Sequence, residues 1–428
     1  MDILIEPTKL SGSIRAISSK SDVHRFLMAA ALAKGTSAVH FTTLSEDIAA
    51  TVRVLSAMGA AIDIDGADGD YTATVQGISE MPLGAVLDAH ECGTTARLIL
   101  PIAAALSDSF TLTGKNGLLK RPFGDLCCAM EERGTKCSDT FLPITTSGKL
   151  TSGVYSIRGD VSSQYISGLL FALPLLDGDS EIRLTTPAVS AGYIDMTLNT
   201  LSRFGIEVQK FDGGYKVKGN QTYSAVADYT ADGDWSNATF WLAAGVIGGD
   251  ITVNGLYTDS LQKDKDILKI LTRAMADFRV HSPSDKGIRV IKSDMTAVNF
   301  SGEDIPDALP ALATVLSLAK GKSVISGGAR LKIKESDRIA TTVAMLKALG
   351  ADIEGTDDGF VISGVSNFTG GEVDAANDHR IAMCAAVASQ RAGGEVIIRG
   401  AECVNKSYPT FFEDFKKLGG KCSVINGS

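Results

Sequence analysis

The chain has 428 residues, of which 44% are hydrophobic and 21% charged, and its formal net charge is −9. This composition excludes a disordered chain, and the acidic balance without a long basic run argues against nucleic acid and anionic membranes as partners. No apolar run reaches the roughly 18 to 20 residues of a membrane helix, and the seven cysteines, odd in number and without a C-x-x-C pair, predict neither a disulfide framework nor a zinc site.

The N-terminal sequence MDILIEPTKL lacks the basic and apolar regions of a signal peptide. We therefore expect a cytoplasmic protein. At roughly 100 to 200 residues per domain, the length predicts two or three domains.

A helix end, a glycine and a short strand recur along the chain at intervals of about 72 residues. Glycine at such a point is typical of a left-handed helix C-cap that leads into a strand. A sixth, degenerate copy, LTRAMADFRV, places Ala276 in the glycine position. In chain order the five glycines are Gly59, Gly134, Gly205, Gly350 and Gly419.

Each repeat also contains a second helix that is apolar nearly all round. A helix without a polar face must be buried on all sides. Pro101 and Pro174 lie inside two of these segments, where we expect a kink or an early stop. In chain order the segments are RFLMAAALAKG, ARLILPIAAALSD, YISGLLFALPLLDG, ATFWLAAGVIGG, ALPALATVLSLAKG and RIAMCAAVASQRAGG.

Six βαβ-like repeats predict an α/β protein with two lobes of three repeats, each with sheets wrapped around buried helices. A single solenoid is the alternative, but solenoid repeats are usually shorter and their ends carry polar caps. The polar, glycine-rich tract 219–234 is the best candidate for a crossover between the lobes.

Polar and basic residues precede the six buried helices. Any one Ser, Thr or Asp at such a point is most simply an N-cap. Lys and Arg are unexpected at the positive end of a helix dipole, unless an anion lies between them. In chain order the residues are Lys20, Ser21 and Arg25; Gly93, Thr94 and Arg97; Ser162, Ser163 and Gln164; Asp234; Asp307; and Asp378, His379 and Arg380.

Two further charged segments extend this set: LKIKESDR, with Lys334, Glu335 and Arg338, and GLLKRP, with Lys120 and Arg121. Either segment alone could be a solvated charge run. Together with the helix starts, they predict a small polyanionic substrate that carries phosphate. His379 could serve as an acid or base, or be a buried structural histidine.

The series KSxxxR at Lys20, GTxxR at Gly93, RP at Arg121, SSQ at Ser162, IPDA at Ile305, KESDR at Lys334, NDHR at Asn377 and finally Lys406 resembles the 5-enolpyruvylshikimate-3-phosphate synthase family. The motifs occur in consistent order over most of the chain. The resemblance implies two lobes, each an inside-out α/β barrel of three repeats, that close on substrate.

The resemblance also implies the division of the chain. Residues 14–228 would form one lobe, mainly on the side of shikimate 3-phosphate. Residues 1–13 and 229–428 would form the other, with the catalytic carboxylates and part of the phosphoenolpyruvate site. No cofactor, metal, nucleic acid or membrane is implied, and a monomer is expected.

The implied reaction transfers the enolpyruvyl group of phosphoenolpyruvate to the 5-hydroxyl of shikimate 3-phosphate and releases phosphate, in the pathway to chorismate and aromatic amino acids. Asp307 and Glu335 are the implied acid/base groups, with Lys20 able to share a proton. The implied shikimate 3-phosphate ligands are Lys20, Ser21, Arg25, Ser162, Ser163, Gln164, Ser190, Tyr193, Asp307 and Lys334. The implied phosphoenolpyruvate ligands are Lys20, Gly93, Arg121, Gln164, Arg338, Arg380 and Lys406.

Two alternatives remain: the sister family that transfers enolpyruvyl to UDP-N-acetylglucosamine, and a phosphate-binding protein without activity. Sister-family members usually carry a reactive cysteine shortly before the RP dipeptide, where this chain has GKNGLLKRP. Two residues depart from the pattern of relatives: Arg330 stands where some have asparagine, and Leu98 where many have proline. Leu98 leaves open whether glyphosate, which competes with phosphoenolpyruvate in sensitive relatives, inhibits this chain.

Overall fold

The computed structural model describes residues 1–67, 69–280 and 287–426. The chain divides into two compact units. The continuous unit is Lys20–Ala231, and the discontinuous unit combines Met1–Ser19 with Asp232–Ser428. The lobe limits predicted at residues 14 and 228 lie within a few residues of this division. Among the described residues, no helix is both long and apolar enough to cross a membrane.

The α-helices carry the residues on which the site depends, and several are followed or preceded by short 3₁₀ helices. Within the described residues they are α1 (Lys20–Leu32), α2 (Glu46–Ala57), α3 (Gly93–Leu106), α4 (Gly124–Glu131), α5 (Ser163–Ala172), α6 (Ala191–Arg203), α7 (Trp235–Ile247), α8 (Ile267–Arg273), α9 (Leu309–Leu316), α10 (Arg338–Ala348), α11 (His379–Ala388) and α12 (Phe411–Lys417).

The strands are short, and they alternate with the helices along the chain. In the described part of the chain they are β1 (Asp2–Glu6), β2 (Ser11–Arg15), β3 (Ala33–Lys34), β4 (Thr36–Phe41), β5 (Ala61–Ala67), β6 (Asp70–Gln76), β7 (Ala85–Asp88), β8 (Phe110–Thr113), β9 (Lys136–Cys137), β10 (Ile144–Ser147), β11 (Val154–Ile157), β12 (Ser180–Leu184), β13 (Val208–Phe211), β14 (Gly214–Val217), β15 (Tyr223–Ser224), β16 (Tyr229–Thr230), β17 (Asp250–Asn254), β18 (Phe278–Val280), β19 (Gly287–Ile291), β20 (Asn299–Ser301), β21 (Lys322–Ser326), β22 (Asp352–Gly355), β23 (Phe360–Ser363), β24 (Gly371–Asp374), β25 (Val396–Arg399) and β26 (Lys421–Asn426).

Within the described ranges, six four-stranded sheets share one pairing pattern, in which the first two strands are parallel and the next two pairs are antiparallel. The continuous unit contains the orders β16-β4-β6-β5, β7-β8-β10-β9 and β11-β12-β14-β13. The discontinuous unit contains β2-β17-β19-β18, β20-β21-β23-β22 and β24-β25-β1-β26. The sequence-predicted α/β class is therefore confirmed.

The apolar helices form the interior of each unit. Every residue of α7 is buried, and α7, α9 and α11 contact one another in the discontinuous unit. In the continuous unit α3 packs against α5, and α5 against α6. Because α3, α5, α7, α9 and α11 lack a polar side, their first turns are the parts best placed to present polar groups to a ligand. The helix starts are therefore the places to look for function.

Glycine caps end five of the helices as predicted from the sequence. Gly59 and Gly134, for example, follow α2 and α4 with φ of +103° and +99°, in the left-handed region that glycine adopts without strain. The predicted sixth position was wrong. After α8 the left-handed residue is Met275, with φ of +64°, and not Ala276. The degenerate repeat thus reaches its cap one residue earlier.

The two prolines inside apolar segments behave differently. Helix α5 ends at Ala172, and Pro174 lies in the 3₁₀ helix Leu173–Leu175 that follows, so the expected early stop is confirmed there. Helix α3 instead continues through Pro101 to Leu106, so no early stop occurs. Pro101 is itself buried, and its ring lies against α5 at Gly168, so packing compensates for the lost backbone hydrogen bond.

Candidate active site

The start of α1 holds an ion pair. The Nζ atom of Lys20 lies 2.6 Å from a carboxylate oxygen of Asp47, which is in the first turn of α2. Both side chains are largely shielded, at 17% and 13% exposure, so the pair is only partly accessible to solvent. Ser21 follows Lys20 in the same turn of α1. Asp47 was not among the residues selected from the sequence.

Arg25, one turn further along α1, connects this helix to α6. Its side chain is 1% exposed, and it donates hydrogen bonds to the Ser21 carbonyl (2.8 Å), the Tyr193 carbonyl (3.0 Å) and the Thr197 hydroxyl (2.9 Å). These acceptors are neutral. Burial lowers the pKa of Arg25 to about 10, and the guanidinium stays charged at neutral pH.

Ser190 and Tyr193 lie at the start of α6. Ser190 is the N-cap residue and has φ of +51°, an uncommon conformation for a residue other than glycine. A strained backbone conformation persists only where the surrounding structure holds it, and such conformations are often found at functional sites. The Tyr193 ring lies 5.8 Å from the Arg25 guanidinium carbon. Ser190, Tyr193 and Arg25 thus form one cluster.

Gln164 joins the starts of α3 and α5. Its amide oxygen accepts from Arg97 (3.0 Å), and its amide nitrogen donates to the Thr94 hydroxyl (2.8 Å). Ser162 caps α5 by accepting from the Gln164 backbone N–H, and Ser163 begins the helix. The two helix starts are therefore held in one fixed relation, with their polar groups on the same side.

Gly93 and Arg121 are in direct contact. A Cβ atom added to Gly93 would lie 2.6 Å from Nη1 of Arg121, which is too short for a real contact. Arg121 is itself buried, at 7% exposure, and lies between a 3₁₀ helix and α4. The absence of a side chain at Gly93 therefore lets the guanidinium lie against the first turn of α3.

In the discontinuous unit, Arg338 is bonded to three carboxylates. Its side chain is 1% exposed, and it donates to Asp378 (2.7 Å), Asp307 (2.7 Å) and Glu335. Burial lowers the pKa of Arg338, but Asp378, Glu335 and Asp307 outweigh burial and raise it. Arg338 therefore bridges all three carboxylates.

Asp307 contacts two further cations. Lys334 Nζ lies 3.2 Å from one carboxylate oxygen, and Arg380 Nη2 lies 3.6 Å from the other. Burial raises the pKa of Asp307, but Lys334, Arg380 and Arg338 outweigh it and hold the pKa well below its ordinary value. We call this group the Arg338 cluster; it consists of Asp307, Lys334, Glu335, Arg338, Asp378 and Arg380.

The segment before α11 has an unusual backbone. Ala376 and Asn377 both have positive φ, at +51° and +54°. The Asn377 carbonyl accepts a hydrogen bond from Lys406 Nζ (2.9 Å), and Asp378 caps α11 by accepting from the Arg380 backbone N–H (3.0 Å). This segment thus brings Lys406 and Arg380 to the same helix start.

His379 is 1% exposed, and its Nδ1 lies 3.8 Å from Asp378. Its burial favours the structural interpretation over the acid/base one that the sequence left open.

Comparison with known proteins assigns the family. The family model described as EPSP synthase (3-phosphoshikimate 1-carboxyvinyltransferase) matches residues 5–415. The chain belongs to the EPSP synthase family. The 3-phosphoshikimate 1-carboxyvinyltransferase of Clostridium kluyveri is 40% identical over 426 residues, covering 98% of this chain and 97% of the relative. That of Clostridioides difficile is 39% identical over 437 residues, covering 99% and 98%.

Solved structures agree with the sequence comparison. An EPSP synthase structure from Acinetobacter baumannii superimposes with a TM-score of 0.80 and 25% identity, covering 99% of this chain and 100% of the other. The resemblance to the EPSP synthase family that the sequence motifs indicated is therefore confirmed, and the fold of the chain matches a member of that family.

The two departures from the EPSP synthase pattern occupy different environments. Leu98 is fully buried in α3, one residue after Arg97. Arg330 lies in the 3₁₀ helix Ala329–Ile333 and donates to the Glu303 carbonyl (3.4 Å). Leu98 thus belongs to the core beneath the helix start, whereas Arg330 lies near the surface.

Sequence analysis alone missed two partners at the site. Asp47 carries no signal beyond being an acidic residue in a helical first turn, which is common. Cys92 is the N-cap of α3, where its Sγ accepts from the Thr95 N–H, although cysteine is not a usual capping residue. Asp47 was missed because its role depends on Lys20, which lies on another helix, and Cys92 was missed because cysteine is an unusual N-cap.

Proposed function

We propose that the chain transfers the enolpyruvyl group of phosphoenolpyruvate to the 5-hydroxyl of shikimate 3-phosphate and releases inorganic phosphate, in the shikimate pathway to chorismate and aromatic amino acids. The observation that carries this proposal is the Arg338 cluster, in which partly buried carboxylates and cations contact one another in a chain of the EPSP synthase family. Such a cluster can both bind an anion and move a proton.

Asp307 takes the proton of the 5-hydroxyl as the hydroxyl oxygen attacks C2 of phosphoenolpyruvate. In the free chain its low pKa makes Asp307 a weak base. An anionic substrate that contacts Lys334 and Arg380 shares their positive charge, which raises the pKa of Asp307 toward neutrality. Substrate binding thus improves the base, because general catalysis is most efficient when the pKa lies near the working pH.

Glu335 and Lys20 serve the other proton transfers. As C2 is attacked, C3 gains a proton, and the resulting tetrahedral intermediate then loses phosphate and a C3 proton. The same group can give and take this proton. Glu335 is held by Arg338, and Lys20 by Asp47, so both are oriented before substrate arrives.

The remaining residues bind the two anions. We assign phosphoenolpyruvate to Lys20, Gly93, Arg121, Gln164, Arg338, Arg380 and Lys406. Arg25 donates to a hydroxyl and two carbonyls, which are neutral acceptors, so its positive charge suits a phosphate. We assign shikimate 3-phosphate to Lys20, Ser21, Arg25, Ser162, Ser163, Gln164, Ser190, Tyr193, Asp307 and Lys334.

We further propose that each unit is an inside-out α/β barrel of three repeats. The shared strand pairing of the six sheets and the buried position of α7, α9 and α11 support this arrangement. A monomeric state and a cytoplasmic location remain predictions from the sequence.

Phosphate release in the presence of phosphoenolpyruvate tests the function. We expect release with shikimate 3-phosphate and none with UDP-N-acetylglucosamine. Release with the nucleotide sugar alone would assign the sister activity. Binding of shikimate 3-phosphate without release from either acceptor would support a binding protein instead.

A further inference from the structure

Three potential metal ligands meet in the continuous unit. His24 lies on α1, Asp47 in the first turn of α2, and Cys92 at the N-cap of α3. Each offers one ligand atom, and these atoms all lie within 4.8 Å of one another. The His24 Nε2 and Cys92 Sγ atoms are 3.9 Å apart. None of the roles proposed above uses His24 or Cys92.

The spacing suits a tetrahedral ion after a small contraction. Zinc binds nitrogen at about 2.0–2.1 Å, thiolate sulfur at about 2.3 Å and carboxylate oxygen at about 2.0–2.2 Å, which separates neighbouring ligands by roughly 3.3–3.6 Å. The His24 to Cys92 distance exceeds this by a few tenths of an ångström. The Asp47 carboxylate lies within 4.8 Å of the other two ligand atoms, and it is the most exposed of the three, so it has room to move toward an ion.

The neighbouring residues orient the ligands as they do in known metal sites. His24 Nδ1 is hydrogen-bonded to the Thr51 hydroxyl (2.7 Å), and Thr51 to the Thr95 hydroxyl (2.6 Å). The Nε2 atom is thereby directed at Cys92. A hydrogen bond at the second ring nitrogen is the usual way in which a ligating histidine is fixed. Histidine and cysteine together favour zinc-like ions over magnesium or calcium.

We propose that His24, Asp47 and Cys92 form a binding site for Zn²⁺ or another thiophilic divalent cation. The ion enters from the side of Lys20 and Asp47, since His24 and Cys92 are buried. On binding, the Cys92 thiol releases one proton to solvent, and a water molecule completes the four ligands. The spacing of cysteines in the sequence could not reveal this site, because its ligands come from three separate helices.

The cation competes with Lys20 for Asp47. Lys20 Nζ contacts the same carboxylate at 2.6 Å, so the metal displaces the ammonium group. The site therefore inhibits rather than assists the enzyme. This consequence for activity rests on the proposed function, in which Lys20 takes part, whereas metal binding itself does not.

Cobalt titration of the full chain tests the site directly. We expect one Co²⁺ per chain to give a near-ultraviolet thiolate-to-cobalt band and the visible bands of a tetrahedral ion. Cys92→Ser should abolish the thiolate band and weaken binding by more than the roughly 10-fold that loss of an outer-shell partner costs, while its hydroxyl can still cap α3. Asp47→Asn should keep the band and weaken binding.

A matched control is the double variant Cys127→Ser/Cys137→Ser, since these two thiols also interact with each other. The band should survive in this variant. Loss of the band there and its persistence in Cys92→Ser would overturn the proposal, as would the absence of any band in the natural chain. If Cys92→Ser does not fold, X-ray absorption spectroscopy of the zinc-loaded natural chain tests the site instead. A zinc coordination shell that lacks a sulfur ligand would contradict the proposal.

Inhibition provides the second measurement. Zn²⁺ should inhibit phosphate release, and Cys92→Ser should need at least about 10-fold more Zn²⁺ for the same relative inhibition. Equal sensitivity of both forms would refute the competition with Lys20. If the proposed reaction is wrong, no sample releases phosphate, yet the cobalt spectrum still reports on the metal site.

Discussion

Arg25 in the continuous unit and Arg338 in the discontinuous unit are both 1% exposed, yet their surroundings differ. Arg25 donates to two carbonyls and a hydroxyl, and its pKa is lowered to about 10 by burial. Arg338 donates to three carboxylates, and its pKa is raised. A buried arginine among neutral acceptors keeps its charge for a ligand, whereas one among carboxylates divides its charge between them and the proposed ligand.

The largest expected effect concerns Asp307, one of the three carboxylates that Arg338 contacts. Asp307→Asn should lower kcat roughly 10²- to 10⁴-fold, because a placed proton acceptor is lost. The KM for phosphoenolpyruvate should not rise, since Lys334 and Arg380 then keep more of their positive charge. Steady-state kinetics with Asp304→Asn, at an exposed carboxylate nearby, provides the control. Near-native kcat in Asp307→Asn would remove Asp307 from the mechanism.

Glu335→Gln should likewise lower kcat more than it changes either KM. Asp307 contacts Lys334, Arg338 and Arg380, so Glu335→Gln should disturb the Arg338 cluster less than a substitution of Asp307 does. Steady-state kinetics with both substrates measures the effect. An unchanged kcat together with a raised KM would assign Glu335 to binding instead.

Removing each arginine compares the two environments directly. Arg338→Met removes the guanidinium partner of the buried Asp378 carboxylate and should lower the free energy of unfolding by about 3–5 kcal/mol. Arg25→Met leaves neutral acceptors unpaired and should cost about 1–3 kcal/mol. Denaturant unfolding of both variants, monitored by circular dichroism, gives the two values. A loss at Arg25 equal to or greater than that at Arg338 would contradict the comparison.

Gly93→Ala should raise the KM for phosphoenolpyruvate about 10-fold with little change in kcat. The new methyl group would lie 2.6 Å from Arg121 Nη1, and the flexible end of that side chain must move away. Ground-state binding is lost as a result. Arg121→Lys removes the clashing atom, so Gly93→Ala should cost much less in that background. Additive effects of the two substitutions would exclude this explanation.

The smallest expected effect is on the pH dependence of stability. The pKa values of Asp307 and Asp378 are lowered in the folded chain, by cations that outweigh burial. Their contribution to stability is therefore present above the ordinary carboxyl pKa and is lost as the pH falls toward the lowered values. Denaturant unfolding from pH 6 to about pH 3 should show this loss, and Asp307→Asn should show a shallower one.

The sequence predicted the local features of this fold better than the pairings at the site. Glycine caps such as Gly59 and the stop at Pro174 follow from the backbone limits of single residues, and these predictions are confirmed. The cap at Met275 was misplaced by one residue, because no glycine marked it.

Pairings between distant residues are harder to predict. The motifs identified Asp307 and Arg338, but no sequence pattern shows that Asp378 pairs with Arg338 or Asp47 with Lys20. Such pairs depend on which helix starts become neighbours after folding. Tertiary packing therefore decides the electrostatics of the site, whereas short-range sequence decides where its helices begin and end.

The strand β1 lies between β25 and β26, and Asp2 is paired with Asn426. During synthesis, at roughly 5–20 residues per second, β1 leaves the ribosome on the order of 20–80 seconds before its partner strands exist. Strand β2 likewise waits for β17. The continuous unit, by contrast, has all of its strands once residue 231 is made. The continuous unit can therefore fold while β1 and β2 are still unpaired. Strand β1, although it is made first, is among the last strands to pair.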